Sequence, residues 1–225
     1  MQILDVLEYN GKEKAFFQAI GYVKSEVEER EGKFYIEIDN REYLLDSYNK
    51  RLIDYFRMEL LSNKSNSTKD LIVFPKFTHF PQKEKETKVH FNLVGWGENK
   101  LIEVLEPKEF ILRGVYQTIP HHSLPVVSIY RNNNSQLQKF IGTKKPLVKK
   151  SILKANHLPV EWITKEKPYR YSQKEEGKKE KKFVQLLARF SAKKQTFFIR
   201  KSIVSPSLSI PSFLKYNSSA KKKHS

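Results

Sequence analysis

Aromatic and cationic side chains alternate along two predicted strands near the N-terminus, at residues 14–27 and 33–45. Strand alternation places six of them on the outward face: Tyr22, Lys24, Lys33, Tyr35, Arg41 and Tyr43. Aromatic rings stack on unpaired nucleobases for about 1–3 kcal/mol per base, and neighbouring cations bind phosphates. Two interpretations stay open, because tyrosine is also a good strand former. The same face carries acids that would repel phosphate, namely Glu26, Glu37 and Asp39.

Lysine and arginine are concentrated in the C-terminal part of the chain. Residues 1–130 contain 18 basic and 20 acidic side chains, whereas residues 131–225 contain 24 basic and 5 acidic ones. One basic group surrounds a short apolar stripe: Lys144, Lys145, Lys149, Lys150 and Lys154. A second surrounds a predicted hairpin: Lys181, Lys182, Arg189, Lys193, Lys194, Arg200 and Lys201.

The net charge of +17 predicts a polyanionic partner, and nucleic acid is the commonest one. Each cation that neutralises a phosphate releases condensed counterions, which favours binding. A charged surface that only aids solubility is an alternative. An anionic membrane fits less well, because the basic half lacks a long amphipathic helix with a clean apolar face. Trp96 could stack on a base, although a tryptophan beside glycines at a strand end is more often a partly buried anchor of the turn. Arg113 could contact a phosphate and could equally form an ion pair with a nearby glutamate.

The histidines and glycines give no support for catalysis. His121 and His122 would point to opposite sides of a strand, while His79 and His90 flank a predicted loop and could face each other. With no cysteine and no third ligand nearby, we expect no metal site. No Gly-x-Ser-x-Gly elbow or glycine-rich phosphate loop occurs among the 8 glycines. We therefore expect no catalytic residue, no enzyme activity and no cofactor.

Hydrophobic periodicity predicts a chain of mostly short strands. The predicted strands cover residues 14–27, 33–45, 71–77, 88–96, 109–117 and 125–131, and a helix is predicted at 50–61. Beyond a link at 132–135, we predict a short basic helix at 143–155 and a β-hairpin at 182–204, with a helix at 184–191 as the alternative. The absence of a βαβ rhythm favours a small antiparallel barrel over a parallel sheet.

The N-terminal part resembles the oligonucleotide/oligosaccharide-binding (OB) fold of single-stranded DNA-binding proteins. The resemblance rests on the long first pair of strands, the late Gly95-Trp96-Gly97 turn and the size of the module. The predicted helix follows two strands, whereas in that fold it lies between the third and fourth. The resemblance implies that the first three strands carry the ligand face.

We therefore predict a mainly β protein with a small OB-like antiparallel barrel and one helix at residues 1–131. A basic α+β or partly disordered region follows at 132–204, and a disordered Lys/Ser-rich tail at 205–225. No apolar run approaches the roughly 20 residues that span a bilayer, and the N-terminus is too acidic for a signal peptide. We expect a soluble, cytoplasmic protein with no membrane partner.

The predicted function is non-enzymatic binding of single-stranded DNA or RNA with weak sequence specificity. The basic C-terminal half would supply the phosphate contacts. The alternative is an assembly protein of a ribonucleoprotein or of a replication or transcription complex. Such a protein would dock by its barrel and place its basic tail on nucleic acid.

Overall fold

The structure, a computed structural model, describes residues 15–62, 68–79, 87–97, 100–119, 122–162 and 181–216. The strands in these ranges are β1 (Gln18–Arg30), β2 (Lys33–Ile38), β3 (Arg41–Asp46), β4 (Thr68–Thr78), β5 (Lys88–Trp96), β6 (Glu109–Gln117), β7 (Val126–Ile129), β8 (Asn156–Trp162), β9 (Lys182–Ser191) and β10 (Thr196–Ser207). The helices are α1 (Lys50–Ser62), α2 (Lys100–Val104), α3 (Ser135–Gly142) and α4 (Pro146–Leu153). The prediction of a mainly β chain with few helices is confirmed.

The first five strands close into a small barrel. β1 pairs with β2, β2 with β3, β3 with β5, β5 with β4, and β4 returns to β1. The β3–β5 pair is parallel and the others are antiparallel. The prediction of a small closed barrel is confirmed.

The predicted strand at 33–45 is in fact two strands joined by a tight turn. Asp39 and Asn40 have φ angles of 51° and 59°, which is the backbone of a two-residue type I′ hairpin turn. Asparagine and aspartate tolerate this conformation better than most residues. Helix α1 therefore follows three strands rather than two, and it lies between the third and fourth strands of the barrel.

The other five strands repeat the same cycle of pairings. β6 pairs with β7, β7 with β8, β8 with β10, β10 with β9, and β9 returns to β6. Here too the pair between the third and fifth strands, β8 and β10, is the parallel one. We call this set the second barrel; its first strand, β6, pairs antiparallel with β1 of the first barrel. The two barrels therefore have the same strand order.

The predicted boundary at residues 131 and 132 falls inside the second barrel. β6 and β7 precede it, while their partners β8 and β9 follow it. The pairing therefore separates the two barrels between α2 and β6. The predicted hairpin at 182–204 is present as β9 and β10, and the basic helix predicted at 143–155 is present as α4, with Pro146 in its first turn.

The tail predicted to be disordered from residue 205 begins as ordered chain. Residues 205–207 belong to β10, and Phe213 forms a bridge to Asn132. The Phe213 ring lies against the rings of Phe17 and Tyr130, at centroid distances of 5.6 and 4.2 Å. Residues 217–225 lie outside the described part.

A single apolar core extends through both barrels. Rings from the first barrel meet rings from the second, as in the contacts of Phe91 with Phe110 and Phe190 and of Phe77 with Phe197. A smaller cluster on the other face of β1 and β6 is covered by Leu101 and Leu105, from α2 and the residue after it. Both faces of the β1–β6 pair are therefore buried, which explains why every residue of β6 is buried.

The junction between β1 and β6 requires glycine at position 21. A Cβ atom there would lie 2.2 Å from the Phe110 ring and 2.6 Å from the carbonyl oxygen of Glu109. Neither neighbour can move freely, because Phe110 is fully buried in the shared core.

We expect Gly21→Ala to lower the free energy of unfolding by about 1–3 kcal/mol, because the added methyl group overpacks the junction. Gly95→Ala is the matched control, since a Cβ at Gly95 meets nothing within 4 Å. That change should stay within about 0.5 kcal/mol. Urea unfolding of the two variants measures the difference, and equal stabilities would contradict the close packing at Gly21.

Candidate nucleic-acid interface

The predicted tyrosine platform on the first barrel does not form. Tyr22 and Tyr43 are 6% and 4% exposed, so their predicted outward positions are wrong. Tyr22 lies beneath α2 and its hydroxyl donates to Asp70 Oδ1 at 2.5 Å. Burial and this carboxylate raise the pKa of Tyr22 to about 12.

Tyr43 points inward because the turn at Asp39 and Asn40 changes the alternation. Even-numbered residues face the core in β2, whereas odd-numbered ones do so in β3, and Ile36 stands opposite Tyr43. Tyr43 packs against Phe91 and Phe190. Tyr35 is the partly exposed member of the trio, and the guanidinium of Arg30 lies 4.2 Å from its ring centroid.

Carboxylates balance most cations around this face. Ion pairs join Arg30 to Glu28 and Glu42, Arg57 to Glu29 and Asp54, Lys69 to Glu59, and Lys108 to Asp39. Lys24, Lys33 and Arg41 are exposed among these pairs. The first barrel therefore presents scattered cations rather than a continuous positive surface.

Trp96 is partly buried and Arg113 is fully buried. The Trp96 ring lies 4.9 Å from that of Phe56, so it anchors α1 to the first barrel. Arg113 is 0% exposed on β6, and its guanidinium lies 4.1 Å from the centroid of the Phe16 ring. Arg113 therefore cannot contact a ligand at the surface, while Trp96 serves as a partly buried anchor of α1.

The first predicted basic group lies on α3, α4 and the residues around them. Lys145, Lys150 and Lys154 are exposed, while Lys149 donates to the carbonyl of Gly142 and Lys144 lies over the Phe140 ring. None of the ion pairs found among the described residues involves these five lysines. We call α3, α4 and the residues between them the helical hairpin. It is an exposed, strongly cationic segment between β7 and β8.

The second predicted basic group, around the β9–β10 hairpin, contains ion-paired, partly buried and exposed cations. Arg189 pairs with Glu106 at 3.2 Å, and Lys194 with Glu161 at 2.9 Å. Lys182 is partly buried at the start of β9. Lys181, Lys193, Arg200 and Lys201 are exposed and take part in none of the ion pairs found among the described residues.

A hollow between the two barrels brings together three cations that are far apart in the sequence. Its volume is about 130 Å³, and we call it the cationic hollow; Lys76 of β4, Arg131 after β7 and Lys154 after α4 line it. Burial, together with the charges of Arg131 and Lys154, lowers the pKa of Lys76. The sequence analysis did not select Lys76 or Arg131. Lys76 could have been noticed as a lone lysine within the apolar run of β4.

A second hollow lies beside the first, with a volume of about 460 Å³. Tyr130 lines both hollows, and Phe213, Lys181 and Lys215 line the second. The rings of Tyr130 and Phe213 lie 4.2 Å apart at 31°. We call it the aromatic hollow, because it places ring surfaces next to two lysines.

A group of histidines lies near Lys154, one of the cations of the cationic hollow. His79 contacts His122, with ring centroids 4.1 Å apart, rather than His90, which the sequence had allowed as a neighbour. His90 instead stands opposite Lys76 in the β4–β5 ladder. No group of metal ligands occurs among the described residues, and His121 lies outside them.

His157 is held in its neutral form. Gln117 donates to Ser128 Oγ, and Ser128 Oγ in turn forms a hydrogen bond with Nδ1 of His157 at 2.8 Å. Burial, with the nearby charges of His79, His122 and Lys154, lowers the pKa of His157 to about 4.

Comparison with known proteins finds no family model, no curated protein and no solved structure that matches the chain. Among the described residues, no helix has the length and apolar character to cross a bilayer.

We expect His157 to make the protein less stable as the pH falls from 6.5 towards 4. In this window the unfolded chain protonates the imidazole and the folded chain does not, so stability rises with pH. His157→Gln removes this titration and leaves the other titrating groups in place. Its loss of stability between pH 7 and pH 4 should therefore be roughly 2–3 kcal/mol smaller than that of the unaltered protein. Urea unfolding at pH 7 and pH 4 tests this; equal losses in both proteins would contradict the role of His157.

Proposed function

We propose that the protein is a non-enzymatic nucleic-acid-binding protein for single-stranded DNA or RNA, with little sequence preference. The carrying observation is the charge of the second barrel. Among the described residues from 109 onward, the acidic side chains are Glu161 and the buried Glu109. A surface that serves only solubility intersperses the two signs. A one-sided surface instead attracts a polyanion and binds it through counterion release.

The position of the cations supports the same proposal. Each barrel has five strands, and in the first barrel α1 lies between the third and fourth strands, where the OB fold has its helix. We therefore propose an OB fold as well. OB barrels bind strands of nucleic acid on their second and third strands. In the second barrel these are β7 and β8, and the cationic hollow lies where β7 ends and β8 begins.

The aromatic hollow favours single strands over duplexes. Tyr130 and Phe213 line the hollow with aromatic surface, which an unpaired base can contact and a stacked base pair cannot. Stacking accepts every base, so sequence preference should be weak. We place the function in the cytoplasm, a reducing compartment that suits a chain without cysteine.

We expect replacement of Lys144, Lys145, Lys149 and Lys150 by alanine to flatten the salt dependence of binding. If each lysine neutralises one phosphate of a single strand, the slope of log K against log salt should fall by up to about 3. Filter binding at several salt concentrations measures the slope.

A variant that loses the same charge elsewhere is the control. Lys50, Arg51, Lys88 and Lys100 are exposed cations of the first barrel and α2, and their replacement by alanine removes the same four charges. If both fourfold variants flatten the slope equally, net charge alone drives binding and the helical hairpin is not the contact.

A second candidate function is assembly into a ribonucleoprotein or a replication or transcription complex. The observation that favours it is an apolar stripe on the outer face of α1. Tyr55, Met58 and Leu61 are 62%, 65% and 62% exposed and recur at helical spacing, while Phe56 of the same helix is fully buried. Exposed apolar patches of this kind commonly mark protein contacts.

If α1 docks on a protein, Tyr55→Glu with Met58→Glu should weaken binding to a purified ribonucleoprotein particle at least tenfold. Binding to naked single-stranded RNA should not change, because the stripe lies on the first barrel. Leu208→Glu, at a 61% exposed residue of another surface, is the control. Co-sedimentation measures both, and an unchanged affinity for the particle would exclude docking through α1.

A further inference from the structure

The cationic hollow differs from the other basic surfaces because it is concave and its cations converge. Lys76 is contributed by the first barrel, whereas Arg131 and Lys154 are contributed by the second. Lys76 and Arg131 are partly buried, so their charges are less screened by water than those of the exposed Lys139 and Lys150 on α3 and α4. A ligand in the hollow would meet all three charges at once.

The walls of the hollow are fixed by hydrogen bonds to the backbone. Asn132 accepts from the Phe17 amide and donates to the Phe17 carbonyl, while Asn156 accepts from the Phe77 amide and donates to the Pro75 carbonyl. Arg131 Nε donates to the carbonyl of Ile152, which uses one of five N–H donors. The two asparagines are thus committed to structure, and the hollow is shaped before any ligand binds.

Charge and size select the kind of anion. Burial lowers the pKa of Lys76, and the adjacent positive charges lower it further, so an anion at this place would relieve their repulsion. A phosphodiester carries one negative charge, whereas a phosphomonoester carries about 1.5 to 2 at pH 7. A volume of about 130 Å³ admits a phosphate group, which can then contact all three cations.

We propose that the cationic hollow binds the phosphomonoester at the end of a nucleic-acid strand, through Lys76, Arg131 and Lys154. This inference rests on the proposed function and adds a preference for phosphorylated strand ends. Because Tyr130 lines both hollows, the terminal base would then reach the aromatic hollow, where it can stack.

The test uses one oligonucleotide in three forms: with a 5′-phosphate, with a 3′-phosphate and with hydroxyl groups at both ends. Fluorescence anisotropy with the full chain should show about tenfold tighter binding of one phosphorylated form, as expected for a charge-assisted contact. Lys76→Met should abolish the difference. Lys154→Gln changes an exposed residue, so it should reduce the difference even if Lys76→Met does not fold.

Lys139→Met is the matched control, because Lys139 is an exposed lysine of α3 that does not line the hollow. It should weaken all three forms equally and preserve their ratio. Equal affinity for the three forms would overturn the inference and leave the proposed function standing, whereas no binding of any form would remove the proposed function. Inorganic phosphate that binds as tightly as the phosphorylated strand would also overturn it, since the hollow would then be a site for the free anion.

Discussion

The antiparallel pairing of β1 with β6 is the interaction on which the architecture depends. Through it two barrels of identical strand order share one apolar core, and Gly21 lets Phe110 enter that core. The pairing encloses both faces of the paired segments, residues 18–21 of β1 and 110–113 of β6, between the two apolar clusters. Arg113 lies within this pairing and Tyr22 lies directly beside it, and both are buried. Binding groups must therefore lie on strands away from the junction, or at its margin.

The two barrels have the same strand order but differ in surface charge. In the first, carboxylates pair with many of the cations, so its surface is close to neutral. In the second, the acids that would balance the cations are nearly absent among the described residues. The first barrel still contributes to the cationic surface, because Lys76 reaches the hollow from β4. The candidate site is thus a property of the junction rather than of either barrel.

Much of the fold could be predicted from the sequence because strand alternation is a local signal. The helix α1, the β9–β10 hairpin and most strands were found in this way. The turn at Asp39 and Asn40 was missed because neither residue is glycine, and this single omission reversed the predicted direction of Tyr43. The second barrel was missed because its closure depends on contacts between β6 and β9, which are about 70 residues apart and leave no local pattern.

The candidate site was predicted in its charge and not in its geometry. The surplus of lysine in the C-terminal part is visible by counting, and the structure places Lys144 to Lys154 on one projection. The convergence of Lys76, Arg131 and Lys154 could not be found by counting, because these residues meet only when the two barrels pack together. A lone lysine among apolar strand residues is also what an edge strand would show, so sequence alone could not distinguish the two.

The hollows also depend on segments from distant parts of the chain. Phe17, beside β1, is fixed by Asn132, and Phe213 packs on Phe17 and Tyr130. The amide of Leu214 donates to the carbonyl of Arg131 at 3.0 Å, so the backbone of a hollow-lining cation is held by the segment after β10. Three regions of the sequence therefore meet around Tyr130. Because each contact requires the others to be in place, the site should form only when the two barrels are folded together, and the geometry that concentrates the charge belongs to the complete fold.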